Sequence, residues 1–214
     1  MLLAFDTATS RVTVALHDGE RVVAEYVADE AVAQKTGRHG ELLAPAIEDV
    51  LAQVAAMPQD VTAVAVGVGP GPFTGLRVGL VTARAMAFAL EIPVYGVCTL
   101  DVLAAEAVDA GLEDFLVATD ARRKEVYLAS YDGGARVDGP VVLKPAAAAT
   151  GRLVVGRGAM LYPEAFPHAA GPELPSAAVL CDVVVGERYE LLDPEPLYLR
   201  RPDVMEPRPA KRVS

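Results

Sequence analysis

Leu2-Leu3-Ala4-Phe5-Asp6-Thr7-Ala8-Thr9-Ser10-Arg11-Val12-Thr13-Val14-Ala15-Leu16-His17-Asp18-Gly19 is the stretch on which the fold turns. Leu2 to Asp6 is an apolar run of strand length that ends on a carboxylate. Val12, Val14 and Leu16 then alternate with Thr13, Ala15 and His17, the period-two pattern of a strand. Asp18-Gly19 suits a type I′ turn, and Val22 to Ala28 returns. Residues 2–28 therefore read as an antiparallel meander opened by a buried strand with Asp at its end. The strand-Asp-turn device occurs again. Phe115 to Thr119 runs into Asp120-Ala121-Arg122-Arg123, Glu125 to Tyr131 comes back, and Asp132-Gly133-Gly134 makes the next turn.

Between the two devices the periodicity changes. A polar stretch, 29–40, leads to Glu41–Ala56, where Leu42, Leu43, Ile47, Val50, Leu51 and Val54 recur at helical spacing around Pro45. Val61–Val68 reads as a strand, Thr74–Leu90 as a helix, Pro93–Val97 as a strand and Leu100–Ala110 as a helix. Beyond about residue 137 the pattern blurs: Val141–Leu143 and Leu153–Val155 look like strands and Ser176–Glu187 like a helix. The order is that of an α/β protein with two αβ lobes, over 1–105 and 106–200. Residues 201–214, rich in proline and basic side chains, read as a flexible tail.

The chain has 214 residues, 52% hydrophobic and 22% charged, which excludes a disordered polymer. Its formal net charge of −10 and lack of tryptophan argue against a protein that grips nucleic acid unaided. The two cysteines, Cys98 and Cys181, form no zinc or disulfide framework. There is no basic leader and no long uncharged apolar run, so the expectation is a soluble cytoplasmic protein without a membrane partner.

The Gly67-Val68-Gly69-Pro70-Gly71-Pro72-Phe73-Thr74-Gly75-Leu76-Arg77 loop lies where an anion site belongs, between strand and helix. It departs from the dinucleotide pattern at Pro72 and from the P-loop at Leu76-Arg77, so it reads as a rigid turn. Gly75, Gly79, Ala83 and Ala87, spaced by four, leave one helix face almost without side chains. Either that face packs on the sheet or it meets another subunit. Asp6 and Asp120 either orient Mg²⁺ or cap their own turns, and spacing favours caps. The three histidines are isolated and no serine lies in GxSxG, so no zinc helix or serine elbow is present. His39 stands at a helix start, as a solvated residue or at a contact surface. Arg122-Arg123-Lys124 is a local basic cluster, a solvated turn or a contact for phosphate brought by a partner.

Leu3-Ala4-Phe5-Asp6-Thr7-Ala8-Thr9, Arg38-His39 before Leu42-Leu43-Ala44-Pro45, the Gly67–Gly79 segment, Gly96-Val97-Cys98-Thr99-Leu100, Asp120-Ala121-Arg122-Arg123-Lys124-Glu125-Val126-Tyr127 and Pro196-Leu197-Tyr198-Leu199-Arg200 together resemble the TsaB (YeaZ) family. The resemblance is dense to about residue 131 and loose over 137–190. It implies the actin-like/Hsp70/sugar-kinase (ASKHA, RNase H-like) fold. It also implies a non-catalytic subunit in formation of N6-threonylcarbamoyladenosine beside the tRNA anticodon.

By that resemblance the partners are the catalytic subunit TsaD, which this chain docks on and stabilises, and the ATPase TsaE. tRNA is met only through the complex, and the isolated protein is a homodimer. The family's contact surface maps to about 40–56 and 74–90, which makes His39, Leu42, Leu43, Ile47, Gly75, Gly79, Ala83 and Ala87 the expected interface. Active members of the fold carry Gly where this chain has Ala8 and Arg122, and a side chain there intrudes on a phosphate. Asp6, Thr7, Thr9, Asp120 and Arg122 are thus expected to be a vestigial nucleotide site, with no catalytic residue, metal or cofactor and at most weak nucleotide binding in the complex. The alternatives are an ATP-dependent phosphotransferase or ATPase using Asp6 or Asp120 with Mg²⁺, and a peptidase.

Overall fold

The computed structural model describes residues 1–28 and 39–200, so the tail expected over 201–214, most of the polar stretch and Arg38 lie outside the described residues. The first sheet comprises β1 (Leu2–Asp6), β2 (Thr13–His17), β3 (Val22–Val27), β4 (Ala63–Gly67) and β5 (Val94–Val97), in the order β3-β2-β1-β4-β5. β1 pairs antiparallel with β2 and parallel with β4, so Phe5 lies beside Val14 on one side and Val66 on the other. Being central, β1 is buried on both faces. Its alternate residues enter two cores. Leu3 and Phe5 join Leu43, Ile47, Leu76 and Leu80, while Leu2 and Ala4 join Val102, Leu180 and Cys181.

The second sheet repeats the first. β6 (Phe115–Asp120), β7 (Val126–Asp132), β8 (Ala135–Leu143), β9 (Val154–Val155) and β10 (Ala169–Ala170) take the order β10-β9-β6-β7-β8, the same order read from the opposite edge. The directions match as well: β6-β7-β8 is antiparallel, and β9 and β10 run parallel to β6. This duplicated sheet is the ASKHA architecture. β8 spans nine residues, where only Val141–Leu143 is legible. It pairs on one side only, and an edge strand needs neither an unbroken apolar run nor every N–H, so Gly139-Pro140 is accommodated within it.

Five α-helices complete the described chain: α1 (His39–Gln53), α2 (Phe73–Leu90), α3 (Thr99–Asp109), α4 (Arg157–Leu161) and α5 (Ala177–Val185). In the second half, the connections equivalent to α1 and α2 shrink to a 3₁₀ turn at Pro145–Ala147 and to the five-residue α4. α3 and α5 are exchanged. Leu100, Leu103, Ala104 and Ala107 of α3 pack with Phe115, Val117, Ala129 and Tyr131 of the second sheet. Leu180, Cys181, Val183 and Val184 of α5 pack with Leu2, Ala4, Ala15 and Ala65 of the first. The 105/106 border drawn from the sequence falls inside α3, because one continuous helix carries the chain from one core to the other.

Cys98 and Cys181 are both free and buried, in separate cores. Burial raises both thiols, pushing that of Cys98 up to about 12. The closing segment then crosses back over the first half. Leu192 exchanges two backbone bonds of 2.8 Å with Gly96, and Leu197 N–H donates to the Val68 carbonyl at 2.9 Å. A Cβ at residue 96 would lie 2.6 Å from the Asp193 carbonyl, which is why that strand position is glycine.

Candidate functional site

The two Asp turns meet at a cavity of about 360 Å³ between the halves. Ala8, Thr9, Ser10 and Pro72 line it from one side, and Thr119, Asp120, Arg122, Arg157, Leu161 and Leu174 from the other. Asp6 is absent from the lining. Its carboxylate is fully buried, one oxygen accepting the Ala8 N–H at 2.7 Å and the other the Thr99 hydroxyl at 2.7 Å. Burial raises its pKa, opposed in part by these two bonds and then by His39 and Arg11. The Gly-rich loop closes over it: a Cβ at Gly67 would overlap the Asp6 carboxylate, and one at Gly71 the Ala8 carbonyl. The Gly69 carbonyl accepts the Thr99 N–H at 2.8 Å. The loop is thus a clamp on the first turn, and its glycines allow backbone to lie against backbone.

Asp120 keeps the cap but not the seal. It accepts the Arg122 N–H at 2.8 Å and lies 3.3 Å from the Arg122 guanidinium. Arg122, Arg123 and Lys124 have φ of 61°, 53° and 61°, three consecutive left-handed residues without a glycine. Such a conformation costs roughly 1–2 kcal/mol per residue. Of the residues expected at a vestigial nucleotide site, Thr9, Asp120 and Arg122 share the cavity, while Asp6 and Thr7 are walled off from it. The donor set does not fit a metal-bound triphosphate: one carboxylate is enclosed and the other is held by a guanidinium. Among the described residues, no group of three or more His, Cys, Asp or Glu is placed to hold a metal ion.

Most residues expected at the interface lie inside the chain's own core. Gly75, Gly79, Ala83 and Ala87 are buried and face the sheet. A Cβ at Gly75 would lie 2.6 Å from the Thr7 carbonyl, and one at Gly79 2.5 Å from the Thr7 hydroxyl. That hydroxyl donates to the Gly75 carbonyl at 2.8 Å and accepts the Gly79 N–H at 3.1 Å, bridging two groups one helical turn apart. Leu43 and Ile47 are core residues, and Leu42 packs against the same core. His39, half-buried, sets its Nε2 2.9 Å from the Thr9 carbonyl and braces the first turn. Six of the eight are thus buried, and His39 and Leu42 are half-buried.

The opposite side of α2 presents an open face. Val81 is 65% and Phe88 88% exposed, and with Thr74, Val78 and Ala85 they form a ridge at spacings of four and three. Gly40, Phe73, Thr74, Arg77, Val78, Val81 and Thr82 line a shallow groove beside it. Arg77 and Arg84 flank the ridge. Arg77 lies 4.0 Å over the Phe73 ring and donates to the Tyr198 hydroxyl, and Arg84 pairs with Glu195 at 2.7 Å. The ridge is legible in the same eighteen residues, as a second, outward repeat masked by the more conspicuous glycines. α2 is long and apolar enough to cross a membrane, yet its inner face is packed on the sheet.

A family model described as TsaD: tRNA N6-adenosine threonylcarbamoyltransferase matches residues 22–183. The solved structure of YeaZ from Pseudomonas aeruginosa superposes with a TM-score of 0.75 at 30% identity, over 92% of this chain and 99% of that one.

The chain belongs to the TsaB (YeaZ) family.

Other members of the family include the tRNA threonylcarbamoyladenosine biosynthesis protein TsaB of Escherichia coli, 37% identical over 131 residues. That alignment spans 61% of this chain and 54% of the E. coli protein. An uncharacterised protein of Mycobacterium tuberculosis is 42% identical over 212 residues, covering 94% of this chain and 92% of that protein. Within this chain, the sealed first turn and the ridge of α2 are the two features that bear on function.

Proposed function

We propose that this chain is a non-catalytic subunit of the complex that forms N6-threonylcarbamoyladenosine in tRNA, docking on a TsaD-like catalytic subunit and stabilising it. The observation that carries the proposal is the exposed ridge of α2: Phe88 and Val81 are left to solvent on a helix whose other face is already spent on the sheet. An apolar ridge on a regular helix, rimmed by Arg77 and Arg84, suits a helix–helix contact. Enclosure of Asp6 supports a role without nucleotide chemistry of its own. A TsaE-like ATPase joins the assembly, tRNA is met through the complex, and the setting is the cytoplasm. Without the catalytic subunit the same ridge pairs with its copy, giving a homodimer.

The test is Phe88→Glu. The variant is expected to fold with unchanged thermal stability, to run as a monomer in sedimentation, and to lose co-elution with the catalytic subunit. Dimerisation and co-elution like the wild type would remove α2 from the interface. The enzymatic alternative draws on Asp120, which does line the cavity. It requires ATP turnover by the isolated chain that disappears in Asp120→Asn.

A further inference from the structure

The left-handed turn at Arg122-Arg123-Lys124 has no part in the contact proposed above. We infer that this turn, with Lys144 and Tyr162, is a contact for RNA that this chain contributes to the assembly: the ammonium groups take backbone phosphate, and Tyr162 stacks on an unpaired base. The inference rests on the tRNA-modification reading and goes beyond it, since there tRNA is met through the complex with no RNA contact assigned to this chain.

Four observations lead here. All three side chains of the turn are exposed. The two carboxylates that flank the turn are already answered, Asp120 by Arg122 and Glu125 by Arg200, so they do not cancel the charge of the lysines. Lys124 and Lys144 line one trough of about 680 Å³, with Leu161, Tyr162 and Pro163 among its apolar walls and Glu164 at its rim. Leu161 also lines the inter-lobe cavity, so trough and cavity adjoin across one side chain.

In a chain of net charge −10, a local gathering of cations around an aromatic, apolar trough is a distinct feature. Ammonium groups meet phosphate as point charges, and base–aromatic stacking tolerates any sequence. An acidic peptide would answer the lysines alone, whereas the part of the Tyr162 ring left open by its packing on the second-sheet core offers a planar surface to a base. A ribonucleotide satisfies both.

The test uses labelled unmodified tRNA titrated with the full chain assembled with its catalytic subunit, over a range of salt. Lys124→Glu/Lys144→Glu is expected to weaken binding about tenfold near 0.1 M salt and to make the log–log salt slope shallower by about 1 to 2. Tyr162→Ala should weaken binding several-fold with the slope unchanged, and Arg21→Glu, on the far hairpin, should do nothing. Lys124→Gly removes charge while relieving the left-handed strain, so it should bind RNA less well yet melt higher, a pairing that a merely structural role would not produce.

Binding and slope equal to those of Arg21→Glu would overturn the inference. So would loss of co-elution with RNA affinity intact, which would mark an acidic protein contact. Co-elution of the wild type is read separately. If it fails, the subunit proposal falls, and photo-cross-linking of thiouridine-substituted tRNA to the isolated chain at low salt still decides the RNA contact. Cross-links at residues 122–124 or Tyr162 support it, and cross-links elsewhere or none overturn it.

Discussion

Thr7 links the first turn to α2 through one hydroxyl, placed between a carbonyl and an N–H that a regular helix would pair with each other. Gly79→Ala drives a methyl group to 2.5 Å from that hydroxyl and is expected to cost about 2–3 kcal/mol by urea denaturation. Thr7→Ala removes the obstacle, so the double variant should be less destabilised than the sum of the two by about 1 kcal/mol or more. Asp6 makes a second prediction at this scale. Its carboxyl is raised in the folded state, so it favours folding at pH below its ordinary value of 3.8 and withdraws that support as pH rises. Asp6→Asn removes the charge, keeps an acceptor for the Ala8 N–H, and donates an amide N–H to Thr99 Oγ1, whose hydroxyl turns to accept it. It should melt higher than the wild type at pH 7, with the difference vanishing towards pH 3. Lys124→Gly should add about 1 kcal/mol, because glycine carries no left-handed penalty. The sequence signals that Gly75 and Gly79 need a close neighbour, since helix glycines are otherwise unfavourable. It does not identify Thr7 as that neighbour, because the contact spans some seventy positions of chain and depends on how two elements dock.

The buried side of α2 combines the stripe of Gly75, Gly79, Ala83 and Ala87 with Leu76 and Leu80, while its exposed side carries Phe73, Val81 and Phe88. Substitutions on the two faces should therefore separate. Val81→Glu is expected to leave stability within about 0.5 kcal/mol while abolishing self-association, whereas a leucine at Gly79 would strike the sheet and report on folding alone. Element boundaries were legible where a period had room to repeat, as in α2, α3 and the first meander. β9 falls within the expected Leu153–Val155, but β10 has two residues and α4 five, too few for any period to register. The Pro196–Arg200 motif acquires its meaning only in place. Tyr198 stacks on Phe73 at 5.3 Å, and Arg200 donates to the Ala121 carbonyl, so this short segment reaches from the first residue of α2 to the basic turn.

At the scale of the molecule, neither half owns its core. The first sheet is covered on one face by α1 and α2 and on the other with the help of α5, while α3 leaves to cover the second sheet. Two lobes were readable from the recurring strand-Asp-turn, but the exchange was not, because an apolar helix does not state which sheet it will cover. The exchange predicts one cooperative unfolding transition by calorimetry, with no separate melting of lobes. A fragment that stops after α3 would keep every strand of the first sheet and yet expose Leu2, Ala4 and Ala65. It should bind hydrophobic dyes and show no sharp melt.

The same exchange sets an order of events during synthesis. As the nascent polypeptide leaves the ribosome, β1 to β5 emerge early, but the helix that seals their second face is encoded near Leu180. Until that stretch clears the exit tunnel, the opening strands wait half-dressed in water, within reach of any chaperone that attends the ribosome.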